Sequence, residues 1–585
     1  MGMSDMKDYL FWAWWGWEPL LFYRYAKSQA VGIAGVDPAS LDHWYELLHS
    51  EKTVAAAADL GINRAITHFI KGFGLQYEKK EIARTTELTA LCHQYGIKVF
   101  GYLQYGSIFY ETFFREFPQA ANWIKLDESG QAQYWCNSPQ RYLPCINAPE
   151  HHDYLRTCIR LGLEEVGLDG LHFDNFYSRP CYCKRCREEF KAYSGADIPS
   201  EAALEVEPYQ DPVLQQWIRF RCDRLNQLME QLRDYARSLK PEVEIIWNPS
   251  PIRGVLNQTA LRGADFRQLG TRADFLWSES GNFPGYRDGK LIHQVNFFKT
   301  AETIGYRTFS TTWKHSTEGH GLTKTPEEVA LNTAESAAFA ATPGSNWLLR
   351  PSHIQDLLNS GPLSQELKRY FDFIRQHLDL LADSHAEGEV AVFLDQESVP
   401  REFSRSYGTF LAVQDLLLRH HITFDLLFQE QVDKVQNYQT IIRISNQQGQ
   451  WQPHFSGQVI EVDAAAYPIN ITGSYQAAIL PVPEMEELLK QLLKTLGQRE
   501  FEFTAPDTLL LEARRAADKR RILHCLNYNN CHTCGKTKLQ FAHPPTRLHF
   551  FAPEGNGLLT ADNGTFPIPE IKTWLILAWH DYQQA

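Results

Sequence analysis

Three cysteines lie within six residues of one another, in the segment Cys181-Tyr182-Cys183-Lys184-Arg185-Cys186. Cysteine thiolates bind zinc, and three so close in sequence can converge on one ion. A closed structural zinc site is tetrahedral and needs a fourth ligand, for which the nearest cysteines are Cys136, Cys145 and Cys158. The spacing therefore predicts a structural zinc site whose fourth ligand is one of these three. Unligated thiols on a loop are the alternative.

Two carboxylates stand at the ends of β-type runs of sequence. Asp174 follows Gly170-Leu171-His172-Phe173, and Glu279 follows Phe275-Leu276-Trp277-Ser278. Hydrolysis of a glycosidic bond usually requires two carboxyl groups that flank the bond. We therefore predict that Asp174 is a nucleophile and that Glu279 is its acid/base. The alternatives are an Asp that only binds loop amides and a Glu that is only solvated.

Polar and aromatic side chains also stand at or near the ends of the other β-type runs. Sugar sites combine an aromatic platform with groups that hydrogen-bond to hydroxyls, and 13% of the chain is aromatic. Each of these residues alone is more often a packing residue, but their distribution over successive runs favours a carbohydrate substrate. The predicted substrate-binding residues are Trp14, Trp15, His68, Tyr105, His172, Asn248, Trp277, Trp313, Lys314 and His315.

A scaffold of alternating strands and helices would bring these residues together. From Tyr9 to about Leu381, short β-rich runs alternate with helical patterns, which is typical of parallel βα units. Eight strands and about eight helices predict a (β/α)₈ barrel, and a doubly wound sheet is the alternative. The predicted strands are Leu10–Trp17, Ala65–Ile70, Lys98–Leu103, Gly170–Asp174, Glu244–Asn248, Asp274–Ser278, Arg307–Thr312 and Asn346–Leu349.

Helix ends support this division. The predicted helix Leu41–Leu60 stops at Gly61, and the predicted helix Glu81–Tyr95 stops at Gly96. Glycine after the last turn is the usual left-handed cap. Because catalytic groups of a barrel lie at the C-terminal ends of its strands, both carboxylates stand where chemistry is expected. The acids at the strand starts, Asp169 and Asp274, are expected to cap the opposite end.

Two further domains are predicted after the barrel, so that the boundaries are 1–385, 386–498 and 499–585. The second shows buried strands and helices typical of a flavodoxin-like α/β domain. It contains no cysteine, which excludes thiol-based amidotransferase chemistry there. The third has short β-type runs separated by turn signals, as in a small antiparallel β-sandwich. A second group of cysteines lies in it, Cys525, Cys531 and Cys534, which we interpret as reduced thiols, with metal binding as the alternative.

Composition narrows the class of protein. Lys and Arg number 57 against 70 Asp and Glu, which gives a net charge of −13. A nucleic-acid partner requires a basic face, so none is expected. No apolar run approaches the roughly 18 residues of a membrane span, and the N-terminus lacks the pattern of a secretory signal. We therefore expect a cytoplasmic protein that does not bind membranes.

The motifs together resemble a known family. Cys136-Asn137-Ser138-Pro139, Asp174-Asn175-Phe176-Tyr177 and the three-cysteine segment are similar to the zinc-bearing family 42 β-galactosidases. The order of the three predicted domains also resembles that family. The resemblance implies that Cys136, Cys181, Cys183 and Cys186 bind zinc, without an organic cofactor. It also implies a homo-oligomer, a dimer or trimer, that associates through the flavodoxin-like domain.

One position departs from that family. Where the family has Asp-Asn-Glu-Tyr with Glu as acid/base, this chain has Phe176, which cannot transfer a proton. The chain also resembles the "hypothetical glycosyl hydrolase" barrels and, more distantly, the α-fucosidase and α-galactosidase barrels. Those place an Asp nucleophile at the end of strand four, the position of Asp174. These resemblances imply a retaining hydrolase of small oligosaccharides or glycosides, such as α-galactosides or α-fucosides. A non-catalytic carbohydrate-binding barrel and a β-galactosidase with a relocated acid/base remain open.

Overall fold

The computed structural model describes residues 10–15, 40–106, 108–135, 141–248, 257–269, 273–280, 283–312, 324–340, 344–345, 351–395, 403–445, 455–466 and 485–581. Within these ranges, eight parallel strands follow one another in chain order around one sheet, and the first pairs with both the second and the eighth. This order confirms the (β/α)₈ barrel, since a doubly wound sheet reverses its order. The strands are β1 (Trp12–Trp15), β2 (Arg64–Ile70), β3 (Lys98–Gln104), β4 (Gly170–Asp174), β5 (Glu244–Trp247), β6 (Phe275–Ser280), β7 (Arg307–Thr312) and β8 (Gly344–Ser345).

Helices surround the barrel. None of the described helices is long and apolar enough to span a bilayer. The α-helices of this part are Leu41–Leu48, Glu51–Leu60, Lys79–Gln94, Tyr110–Glu116, Pro149–Arg160, Lys184–Ser194, Pro212–Leu239, Gln258–Arg262, Phe266–Leu269, Val295–Thr303, Pro326–Ala338, Pro351–Leu358, Pro362–Gln376 and Leu378–Leu381.

The prediction of one helix over Leu41–Leu60 is wrong. The first helix ends at Leu48, and a second begins at Glu51. Ser50 separates them because its extended backbone and side chain cap the second helix, with Ser50 Oγ accepting from the Thr53 N–H at 3.4 Å. The second helix ends at Gly61 as predicted, in the left-handed conformation (φ 104°).

Carboxylates close the N-terminal end of the barrel, as predicted. Asp169 Oδ2 accepts from the Val99 N–H at 2.8 Å, and Asp274 Oδ2 accepts from the Ile245 N–H at 2.8 Å. Each acid precedes one strand and binds the start of its neighbour. Both acids therefore have a structural role, at the end of the barrel opposite to Asp174.

The segment after the barrel forms a parallel sheet of four strands in the order two-one-three-four, which is flavodoxin-like. Its strands are Val390–Asp395, Phe424–Phe428, Thr440–Ser445 and Gln458–Asp463, with α-helices Phe403–Arg419 and Met485–Leu496.

Two antiparallel sheets follow and enclose a separate apolar core, which confirms the C-terminal β domain. The larger sheet contains His385–Ala386, Leu509–Arg515, Arg521–Asn527, Trp574–Trp579, Leu548–Ala552 and Gly555–Leu559. The smaller contains Phe501–Thr504, Lys538–Phe541 and Thr565–Pro567.

Buried charges lie where the three parts of the chain meet. Lys299 Nζ of a barrel helix lies 2.6 Å from Glu512 Oε2 of the β domain and 3.8 Å from Asp425 Oδ1 of the flavodoxin-like part. Arg514 pairs with Glu302 at 2.7 Å beside them. Buried charges are costly without partners, so these pairs favour one arrangement of the three parts.

Candidate active site

The carboxylate of Asp174 is buried at the C-terminal end of β4 and held by three side-chain donors. Asn248 Nδ2 donates to Oδ1 at 2.7 Å, and Asn175 Nδ2 donates to Oδ2 at 2.5 Å. The Tyr102 hydroxyl also donates to Oδ2. Each carboxylate oxygen has about two lone-pair sites, so Oδ2 is saturated, whereas Oδ1 has one donor among the described residues and keeps one site. Oδ1 is therefore the oxygen that can form a further bond.

The backbone turns sharply after Asp174. Asn175 adopts the left-handed conformation (φ 52°), which asparagine tolerates better than most residues. The next side chain, Phe176, is fully buried outside the barrel, with its ring centroid 4.1 Å from that of Tyr105 and 4.5 Å from that of Trp247. Position 176 is therefore part of the core and contributes no group to the site.

Four buried side chains that we did not predict lie beside Asp174, namely Lys71, Tyr102, Gln104 and Arg141. Lys71 Nζ lies 3.1 Å from the Tyr102 hydroxyl and 3.2 Å from Gln104 Oε1, and Arg141 Nη2 lies 3.5 Å from the same Oε1. The Tyr102 hydroxyl is also 2.7 Å from Gln104 Oε1. Its single proton goes to Asp174, because a charge-assisted hydrogen bond is the stronger one.

Lys71 reaches this network because β2 is irregular. The register between β2 and β3 shifts between His68 and Ile70, and both Phe69 and Ile70 join the outer core. Strict alternation from His68 would place Lys71 outside the barrel, whereas the bulge places it inside. No sequence signal marks this bulge, so the prediction missed Lys71.

The loop that carries Lys71 wraps around the buried carboxylate of Glu78. The backbone N–H groups of Lys71, Gly72 and Phe73 donate to it at 2.6, 2.8 and 2.6 Å. Burial raises the pKa of Glu78 to about 7, and the three donors act in the opposite direction. These three hydrogen bonds to Glu78 fix the backbone from which the Lys71 side chain extends.

Aromatic rings fill the barrel below Asp174. The ring of Tyr102 stacks on that of His68, with centroids 4.5 Å apart, and lies 5.6 Å from that of His172. Trp277 contacts His172 edge-on at 4.7 Å. Burial lowers the pKa of His68 to about 3 and that of His172 to about 4, so both imidazoles are neutral at physiological pH.

We expect His172→Phe to make the protein less sensitive to acid. The imidazole takes up a proton near pH 6.5 when unfolded but only near pH 4 when folded, so stability falls as the pH falls between these values. The loss amounts to about 3 kcal/mol at most. Urea unfolding at pH 7 and at pH 4.5 measures how much the free energy of unfolding changes between the two values. This change should be smaller for His172→Phe than for the wild type or for a protein in which the exposed His543 is replaced. An unchanged pH effect would contradict the assignment.

The other predicted contacts are divided between the site and its surroundings. Asn248, just after β5, binds Asp174 directly. Trp15 faces the helices and is fully buried, since its Nε1 donates to the Leu48 carbonyl at 3.0 Å, which places it away from the barrel interior where a sugar contact was predicted. Tyr105 is likewise buried behind the strands, against Phe176. Alternation along a strand places only every second residue in the barrel, which accounts for Trp15.

Some predicted residues cannot be placed in full. Trp14 and Glu279 lie on β1 and β6, but the structure describes only their backbone. Four other predicted residues lie outside the described ranges, namely Cys136, Trp313, Lys314 and His315.

Four cysteines form a cluster near the C-terminal end of β4. The Sγ atoms of Cys145, Cys181, Cys183 and Cys186 all lie within 4.8 Å of one another. Cys145 Sγ is 3.4 Å from that of Cys186 and 3.8 Å from that of Cys183. The cluster could hold a metal ion, and Cys145 is its fourth thiol. Within the described ranges no other group of cysteines, histidines and carboxylates meets this description, and Cys531 and Cys534 do not.

The surroundings of the cluster fit a metal bound by thiolates. Asn147 Nδ2 donates to Cys186 Sγ at 3.4 Å, and hydrogen bonds among the four thiols lower the pKa of Cys181 and Cys183 and raise that of Cys145 and Cys186. The buried Lys125 has its pKa lowered to about 8 by burial, while the thiols of Cys181 and Cys145 act in the opposite direction. A donor and a nearby ammonium group favour the thiolate form, which is the form that binds metals.

Comparisons with solved structures show the same architecture, although no protein-family model and no curated protein matches this chain. α-L-Fucosidase isoenzyme 2 from Paenibacillus thiaminolyticus is similar with a TM-score of 0.64 at 14% identity, over 91% of this chain and 96% of that one. β-Galactosidase from Bacillus circulans sp. alkalophilus gives 0.64 at 11% identity, over 98% and 99%. A GH42 β-galactosidase from G. stearothermophilus gives 0.59 at 12% identity, over 93% and 97%.

At these identities the likeness concerns the fold. This chain has the three-part (β/α)₈ fold of those glycoside hydrolases along almost its whole length. The architecture implied by the family 42 resemblance is thereby confirmed.

Proposed function

We propose that this protein is a retaining glycoside hydrolase that acts on a small oligosaccharide or glycoside. The observation that carries the proposal is the buried Asp174 carboxylate, which is fixed by three donors at the C-terminal end of β4 and keeps one site of Oδ1 available. Proteins named as a fucosidase and as β-galactosidases use the same fold, which supports this class of reaction.

Two carboxyl groups carry the proposed reaction. Asp174 Oδ1 attacks the anomeric carbon and forms a covalent bond as the glycosidic C–O bond breaks, while Glu279 gives its proton to the leaving oxygen. A water molecule then attacks the same carbon, Glu279 takes a proton from it, and the bond to Oδ1 breaks. We assign Glu279 because residue 279 has the same parity on β6 as Phe275 and Trp277, which line the barrel.

The proposed substrates are α-galactosides or α-fucosides. The position of Asp174 at the end of the fourth strand and the likeness to a fucosidase fold support this choice. We keep Trp14, Trp313, Lys314 and His315 as proposed sugar contacts.

We propose that the four-cysteine cluster holds a structural zinc ion, with Cys145 in the place that the family resemblance gives to Cys136. Four thiolates are a typical tetrahedral set for zinc and leave no open position, so the ion would contribute to folding and not to chemistry. Thiols stay reduced in the cytoplasm, so a site made of four thiolates agrees with the proposed cytoplasmic location. We also propose that the protein forms a homo-oligomer through its flavodoxin-like part. The proposed domain boundaries lie after residues 385 and 498.

A panel of p-nitrophenyl α- and β-glycosides tests the proposed function. We expect release of nitrophenol from at least one α-galactoside or α-fucoside, and proton NMR should show that the first-formed sugar keeps the anomeric configuration of the substrate. Inversion would contradict the covalent mechanism.

A non-catalytic carbohydrate-binding barrel is the second candidate, favoured by Phe176, which is fully buried at the position of the family 42 acid. Sugar binding without hydrolysis of any glycoside in the panel would support it over the first.

A further inference from the structure

Gln104 is the last residue of β3 and is paired in register with Asp174. Its side chain is only 3% exposed. Neighbouring strands are about 4.8 Å apart, so a ligand atom in contact with Asp174 lies within reach of the Gln104 amide. Gln104 therefore lies beside the carboxylate that the proposed function assigns as the nucleophile.

The orientation of the Gln104 amide is fixed by its neighbours. Lys71 Nζ lies 3.2 Å and Arg141 Nη2 lies 3.5 Å from Oε1. Lysine and arginine are donors only, so the amide oxygen faces them, and a flipped amide would turn its own donors towards two cations. The Tyr102 oxygen, 2.7 Å from Oε1 and with its proton on Asp174, opposes this orientation, but two charge-assisted hydrogen bonds outweigh one contact between acceptors. The amide nitrogen consequently points elsewhere.

Within the described ranges, Gln104 Nε2 is buried and has no hydrogen-bond partner. Almost all buried donors in folded proteins are paired, because an unmade hydrogen bond costs free energy. In this place the missing partner is water or an oxygen atom of a ligand. A ligand oxygen that replaces water here is recognised by a donor that is already held in position.

We infer that Gln104 is a substrate-binding residue whose Nε2 donates to the hydroxyl next to the reacting carbon of the sugar bound at Asp174. This rests on the proposed function and deepens it. Apart from the ring oxygen and the leaving group, the C2 hydroxyl is the oxygen nearest to the reacting carbon, and hydrogen bonds to it strengthen in the transition state. The substrates are accordingly glycosides with a free C2 hydroxyl, and 2-deoxy analogues are poor substrates.

Gln104→Glu tests the inference because glutamate keeps an acceptor for Lys71 and Arg141 but loses the donor. The probes are the best p-nitrophenyl glycoside of the panel and its 2-deoxy counterpart. We expect the wild type to prefer the parent by about 10²-fold in kcat/KM. In Gln104→Glu this preference should fall to a few-fold, and Gln104→Met, which removes the donor without adding charge, should show the same loss. Gln94→Glu, an exposed change of the same type, should keep the wild-type ratio.

Thermal unfolding gives a readout without substrate. If Nε2 faces the open site, Gln104→Glu should unfold near the wild-type temperature, since the anion gained by Lys71 and Arg141 offsets its repulsion by Asp174. A fall of more than about 5 °C that persists when Gln104→Glu is made in the Asp174→Asn protein, where that repulsion is absent, would mean that the nitrogen packs against protein, and would overturn the inference.

The kinetic outcomes separate the inference from the proposed function. Hydrolysis with an unchanged 2-deoxy preference in both Gln104 variants overturns the inference alone, and so does a preference lost only for a 3- or 4-deoxy analogue. A wild type that hydrolyses no glycoside removes the proposed function, and this inference with it.

Discussion

Asp174→Asn is expected to lower kcat/KM for the best glycoside by about 10⁴-fold or more, because an amide oxygen cannot form the covalent glycosyl intermediate. The amide also places an N–H₂ group against donors, since Asn248, Asn175 and Tyr102 all donate to the carboxylate. A loss of stability of about 1–3 kcal/mol should accompany the loss of activity. Initial rates with protein shown to be folded by circular dichroism check the first effect, and urea unfolding checks the second.

Asp169→Asn is the matched control, since Asp169 precedes the same strand at the opposite end of the barrel and binds the Val99 N–H. It should lower stability and leave kcat within about threefold. Asp174→Asn with near wild-type turnover would refute the assignment of the nucleophile.

Glu279→Gln should behave differently from Asp174→Asn. The acid matters least when the leaving group needs no proton, so activity on a dinitrophenyl glycoside should fall much less than activity on an alkyl glycoside. Equal losses on both substrates would show that residue 279 is not the general acid.

The barrel and its strand ends could be predicted because they depend on local patterns. β4 has the predicted bounds, since a buried run ended by an acid is visible in the sequence. Asp169 and Asp274 could be assigned because position along a strand decides which end of the barrel an acid faces.

The network around Asp174 could not be predicted, because it depends on contacts between strands. Lys71 enters the barrel through a shift of register against β3, which has no mark in the sequence of β2. Tyr102 and Gln104 have the strand parity of the lumen, but only the fold shows that Lys71 and Arg141 orient the Gln104 amide. The fourth thiol of the cluster could not be predicted either, because the spacing left three cysteines as candidates. Among the cysteines that the structure describes, only the fold shows that Cys145 joins the other three.

The metal site gives the other large expected effect. Purified protein should contain about one zinc per chain, and Cys145→Ser or Cys183→Ser should reduce this to a small fraction, because three thiolates no longer close a tetrahedral site. Metal analysis of the purified variants measures this directly. Cys158→Ser is the matched control. Cys158 is also buried, but it lies on helix Pro149–Arg160 and outside the cluster. The zinc content of the Cys158→Ser protein should therefore stay at the wild-type value.

Loss of zinc should also lower the unfolding temperature and the activity. The cluster and Asp174 lie at the two ends of one short segment, in which Phe176 is locked between Tyr105 and Trp247. Because zinc binding is coupled to folding, the metal-free protein should hold this segment less firmly and place Asp174 less accurately. Chelation should therefore lower kcat and the unfolding temperature together in the wild type, and should have little effect on Cys183→Ser. Zinc that survives Cys145→Ser but is lost in Cys136→Ser would instead support the ligand set implied by the family resemblance.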